Sequence, residues 1–182
     1  MKTINLMKRQ VKWMVLAVCC SVAMVSCKDD DDDDNFNLPN QEFVTRAASS
    51  NNFEVAAGEL AQARGTTDAI KHYGQHMVTD HTAAGMELKS LATPKGWTVP
   101  EQLQPKEQEN LNRLTALTGT AFDREFAQMM VVSHQDAVSL FQEASSNRGV
   151  PDGDLRNWAG GKVPKLKEHL QDAINLRTST NP

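Results

Sequence analysis

The chain has 182 residues, 40% of them hydrophobic, enough for one core of ordinary size and too few for two. Six Phe, three Trp and one Tyr are few for a sheet protein, and the many Ala, Leu, Gln and Glu favour helix packing, so one all-α domain is expected. A formal charge of -4 with no basic stripe argues against nucleic acid as a partner.

Lys2, Lys8, Arg9 and Lys12 precede an apolar run at 13–26 that has signal-peptide length and falls short of the roughly 20 residues of a membrane span. The run closes in Met24, Val25, Ser26 and Cys27, which resembles the lipobox cut by the lipoprotein signal peptidase. The resemblance implies that Cys27 becomes the acylated first residue; the alternative is a soluble secreted protein cut elsewhere. Lys28 and the run Asp29 to Asp34 resemble the lysine-plus-acidic export signal of surface lipoproteins of the Bacteroidetes, and six aspartates also make a solvated, self-repelling spacer. Loss of the four leading cations takes the charge from -4 to -8. Cys19 and Cys20 leave with the signal, so neither a disulfide framework nor a cysteine metal site is expected. The expected layout is a signal at 1–27 with Cys27 lipidated, an acidic spacer at 28–40, a bundle at 41–177 and a tail at 178–182. The expected location is the outer membrane or cell surface, with the membrane reached through the lipid anchor.

Asn40 can cap a first helix that begins near Gln41 and stops at Gly65. Thr66 and Thr67 offer the next cap, Asp68 suits the positive end of the helix dipole, and Pro94 ends the second helix. Residues 94–104 hold too many breakers for a regular element. Pro105 opens a short helix with Leu111, Leu114 and Leu117 on one face, closed by Thr118 and Gly119. A third long helix is expected at 121–146 and a fourth at 152–177, the latter kinked or broken around Gly160, Gly161 and Pro164. Short, long and short connections are those of two helical hairpins joined by one crossover, the ferritin-like form of a four-helix bundle.

Each long helix carries one titratable group on its apolar stripe. His81 lies among Ile70, Tyr73, Met77, Ala84, Leu88 and Leu91, and His134 among Phe122, Phe126, Met130, Ala137 and Phe141. His169 lies among Leu166, Ala173 and Leu176, and Glu54 among Phe43, Ala47, Ser50, Ala57 and Ala61. A buried polar group without a partner costs about 1 to 3 kcal/mol, so four of them must satisfy one another. Counted from the first turn, Glu54 and His81 differ in height by about 6 Å, a gap that long side chains leaning toward their helix N-termini can alter. Three imidazoles and one carboxylate can hold one ion of zinc, iron, manganese or copper. The alternative is a hydrogen-bonded polar layer in which Glu54 accepts from one imidazole and the others pair with hydroxyls, backbone or water.

Asp80 and Tyr73 are the candidates for orienting an imidazole from outside the ligand set. His72, His76 and Asp80, four apart, point toward the flank of their helix, where a solvated face is the expected role. Asp123 lies about 16 Å along the axis from His134 and is read as a local cap or ion pair. No nucleophile with a base, phosphate loop or nucleotide fingerprint is present, so no catalytic residue is assigned.

The segments Phe43, Val44, Ala47, Ala48; Phe53, Glu54, Val55, Gly58, Leu60, Ala61; Met77, Val78, Asp80, His81, Ala84, Leu88; Leu117, Gly119, Phe122, Asp123, Arg124; His134, Leu140, Phe141; and Pro164, Leu166, His169, Leu170 resemble the bacterial family called domain of unknown function 4142. The resemblance spans residues 40–176 and implies a ferritin-like fold, frequent export and no established activity. Ferritin-like di-iron sites use Glu-x-x-His motifs on two helices, whereas Val78 and Leu166 stand three residues before His81 and His169. A two-iron centre is therefore not expected, and a single-metal site stays open.

Overall fold

The computed structural model describes residues 37–180, which form five α-helices and one short 3-10 turn, with no strand among the described residues. The chain runs through α1 (Asn40–Arg64), α2 (Asp68–Ala92), the turn Thr93–Lys95, α3 (Pro105–Thr115), α4 (Gly119–Ala144) and α5 (Gly153–Thr180). No helix in this range is long and apolar enough to cross a membrane. The expected signal peptide, Cys27 and the aspartate run lie outside the described residues.

The all-α expectation holds, and its hairpins form where short turns require them: α1 packs chiefly on α2, and α4 on α5. In the first turn the Thr67 hydroxyl accepts the Ile70 N–H at 3.3 Å. Asp123, reaching over from α4, accepts the Thr66 N–H at 3.1 Å and the Thr66 hydroxyl, so it caps a turn in the opposite hairpin. At the α1–α2 crossing, a Cβ on Gly58 or Gly74 would lie 2.7 Å from the carbonyl oxygen of the other. Only hydrogen fits at both positions.

Residues 93–118 carry the chain back along the bundle, so α4 starts at the same end as α2. The breaker-rich part of this crossover is held by side chains of α1. Ser49 accepts the Gln104 N–H at 2.7 Å and donates to Glu107 at 3.1 Å, while Asn52 donates to the carbonyls of Pro100 and Glu101. Leu114 of α3 is fully buried.

Four local expectations change. Asn40 does not cap α1; its side-chain oxygen accepts the Asp152 N–H at 3.1 Å, because the start of α1 lies against the turn that precedes α5. Gly119 opens α4 at φ 60 instead of closing α3, which already ends at Thr115. Of the kink or break expected in α5, the break does not occur: the helix continues through Gly160, Gly161 and Pro164. Leu155 and Ala159 before that segment and Leu166 after it are all buried, so packing on both sides holds it helical. Its C-terminus reaches Thr180, where the hydroxyls of Thr178, Ser179 and Thr180 bond back to carbonyls of the last turns.

The interior divides into two apolar regions stacked along the bundle axis. One contains Phe43, Leu88, Phe141 and Leu155, and the other Phe53, Met77, Phe126 and Met130. On α2, α4 and α5 the stripe passes from one region to the other across His81, His134 and His169, and on α1 the boundary falls beside Glu54. The four polar groups thus occupy one level of the core.

Candidate metal centre

All four side chains are withdrawn from water: Glu54 is 1% exposed, His81 5%, His134 0% and His169 5%. The three imidazole rings form a nearly equilateral triangle, with centroids 5.4 to 5.6 Å apart. Each histidine offers a nitrogen within 4.8 Å of those of the other two, and among the described residues this is the one group of three or more His, Cys, Asp or Glu so arranged.

Helix geometry explains how Glu54 meets His81 despite their different heights. Glu54 leans toward the N-terminus of α1, away from the connecting turn, and His81 leans toward the N-terminus of α2, toward that turn. The two displacements close the gap, leaving Glu54 Oε2 3.1 Å from His81 Nδ1. The other carboxylate oxygen, Oε1, accepts from the Ser133 hydroxyl at 2.8 Å and lies 3.7 Å from His134 Nε2.

One nitrogen of each ring faces an oxygen. His81 Nδ1 faces the Glu54 carboxylate, His134 Nδ1 donates to the Met130 carbonyl at 2.9 Å, and His169 Nε2 donates to Asp80 Oδ2 at 2.9 Å. Carboxylates and carbonyls only accept, so these three nitrogens carry the protons. The remaining nitrogens, His81 Nε2, His134 Nε2 and His169 Nδ1, are buried and have no hydrogen-bond partner. In the neutral rings all three present bare lone pairs, and a completed polar layer would need donors there.

The electrostatics favour the neutral form of His81 and His169. Burial, only partly offset by Glu54, lowers the His81 pKa to about 4, and burial together with His134 lowers that of His169. Burial by itself would raise Glu54, but His81, His134 and the Ser133 hydroxyl outweigh it and hold the carboxyl below its usual range. Burial pushes the Tyr73 phenol strongly upward, so it stays protonated.

Of the residues singled out by sequence, Glu54, His81, His134 and His169 come together, and Asp80 reaches the outer nitrogen of His169. Tyr73 donates to the backbone carbonyl of His169 at 3.1 Å and so holds the α5 backbone instead of an imidazole. His72 and His76 pair on an exposed face with ring centroids 4.3 Å apart and do not join the cluster. Ser133 and the Met130 carbonyl were not legible in the sequence. Hydrophobic periodicity reports neither a hydroxyl beside the stripe nor a main-chain acceptor.

The comparisons with known proteins give the chain a family and no activity. No curated protein and no solved structure matches the chain. The model of the family described as "Domain of unknown function (DUF4142)" matches residues 27–176, most of the sequence, and the chain therefore belongs to that family.

Proposed function

We propose that the protein binds one divalent transition-metal ion through His81, His134 and His169, in a ferritin-like bundle tethered to the outer membrane or cell surface by a lipid on Cys27. The observation that carries the metal reading is the convergence of three buried lone pairs with no donor among them. One water supplies two protons for three acceptors, whereas a cation satisfies all three. Neutral imidazoles suit zinc, copper and iron, and three of them leave a coordination position free for water or an exogenous ligand. At metal–nitrogen distances of about 2.1 Å a tetrahedral ion holds its ligands about 3.4 Å apart, so small side-chain rotations suffice to close the triangle. Glu54, the Met130 carbonyl and Asp80 then act from behind, fixing ring orientation and raising ligand basicity. In this reading Glu54 orients His81 and supplies charge.

The anchoring part of the proposal draws on the Ser26–Cys27 junction and the aspartate run. The alternative is an envelope interaction module whose buried His and Glu only specify helix register. To separate the two, the purified protein is loaded with zinc, cobalt, copper or iron in turn, and bound metal is counted beside a His81→Ala, His134→Ala double variant. One ion per chain, lost in the variant, is expected. A wild type that folds stably yet retains no metal under any loading would overturn the proposal and leave the register role.

A further inference from the structure

A cavity of about 290 Å³ opens beside the histidine cluster, and Glu54, His81 and His169 line its inner end. The apolar part of its walls comes from Leu88 of α2, Phe141 of α4, and Trp158 and Leu166 of α5. The room exists because α2, α4 and α5 present small residues there. Ala84 follows His81 on the inner stripe of α2, Ala137 follows His134 on α4, and Gly161 stands two turns before His169 on α5. A leucine at either alanine would occupy the space. Glu87 holds the mouth by accepting from Trp158 Nε1 at 2.9 Å and pairing with Lys162.

The charges that line this cavity select a class of ligand. Glu87 is paired with Lys162 and Lys165 with Glu168, while Glu54 and Asp80 stand behind His81 and His169, so a divalent ion on the neutral imidazoles is the charge that an incoming head group meets. We infer that the cavity binds a small monoanion with an apolar body, of the kind a medium-chain monocarboxylate represents, its charged head on the free metal position and its tail against Leu88, Phe141 and Trp158. The inference rests on the metal reading above and adds the chemistry of the ligand. Acetate reaches the metal without using the walls, whereas hexanoate uses both.

Cobalt-loaded protein provides the test, because its visible absorption reports ligands that enter the coordination sphere. Titration with acetate and with hexanoate is expected to show hexanoate bound roughly ten- to a hundredfold more tightly, the gain from burying about two to three of its additional methylenes. Ala84→Leu is expected to reduce the difference to less than about threefold, with acetate affinity and cobalt stoichiometry unchanged. Gly161→Phe is the second variant, since a Cβ at Gly161 meets nothing within 4 Å, and it is expected to narrow the difference between the two acids in the same way. Equal affinities for the two acids in wild type, or hexanoate binding seen by calorimetry with no change in the cobalt bands, would overturn the pocket while leaving the metal centre standing. Failure to retain cobalt at all removes both.

Discussion

His169 of α5 donates from Nε2 to Oδ2 of Asp80 on α2 at 2.9 Å, a bond that joins the two hairpins and turns the Nδ1 lone pair of His169 toward the other histidines. Asp80 is the half-exposed member of the pair and His169 the buried one. The surface thus sets the orientation of a core ligand. Asp80→Asn removes the charge behind the imidazole and is expected to weaken metal binding about ten- to a hundredfold. Stability without metal should change by no more than about 0.5 kcal/mol, because the site is partly solvated. Competition against a chelator of known affinity gives the first quantity and urea denaturation the second; unchanged affinity would make this pair a structural tie only.

Glu54 differs from Asp80 in being buried with two contacts that need its charge. Glu54→Gln keeps the shape but replaces an oxygen with an NH₂ donor beside Ser133 or His81. Both effects are expected: a loss of metal affinity of about tenfold or more, and a loss of about 1 to 3 kcal/mol in the metal-free protein from mismatched buried groups. Equilibrium unfolding with and without metal separates them.

Acid should destabilise the metal-free protein in a defined window. The folded state keeps His81 neutral down to about pH 4, whereas the unfolded chain protonates it near 6.5. Between these values the unfolded state binds the additional proton, so stability is full above about pH 6.5 and declines as pH falls toward 4, by on the order of 3 kcal/mol. His169 is shifted in the same direction and adds to the decline. The Glu54 contribution, from a folded-state pKa held below its usual value, is lost at still lower pH. Urea midpoints of metal-free protein at several pH values between 7.5 and 4 measure the slope, and a flat profile would contradict it.

Gly74→Ala places a methyl 2.7 Å from the Gly58 carbonyl oxygen and 2.8 Å from Ala61 Cβ. Backbone on a packed helix cannot yield cheaply, so a loss of about 1 to 3 kcal/mol is expected despite the better helix propensity of alanine. Thermal unfolding beside Gly161→Ala, where the added methyl meets nothing, isolates the crossing from propensity.

Asp123→Ala leaves the Thr66 N–H and hydroxyl at the α1–α2 turn without their acceptor. The expected cost is about 1 to 3 kcal/mol with metal affinity unchanged, since Asp123 lies about 16 Å along α4 from His134. A variant that also lost metal would show that the turn and the centre are coupled.

Much of this arrangement is legible in the sequence, for a reason confined to single helices. A period of 3.6 residues decides which side chains turn inward, so the stripes through His81, His134, His169 and Glu54 could be read from spacing, as could the turn at Gly65 and the helix opened by Pro105. Spacing also separated exposed His72 and His76 from buried His81. It did not reveal that Asn40 serves the turn before α5, nor that α5 passes intact through Pro164. Both depend on which element lies alongside.

The sequence by itself determined the helices, their inward faces and one polar group on each. Only the tertiary structure decided which nitrogen of each imidazole stays free, that Ser133 and the Met130 carbonyl join Asp80 in holding the cluster from behind, and that Ala84, Ala137 and Gly161 surround one cavity. Those outcomes depend on the height and rotation of one helix against another. They are fixed by close approaches such as Gly58 on Gly74 and by caps such as Asp123 on Thr66, contacts between residues far apart in the chain.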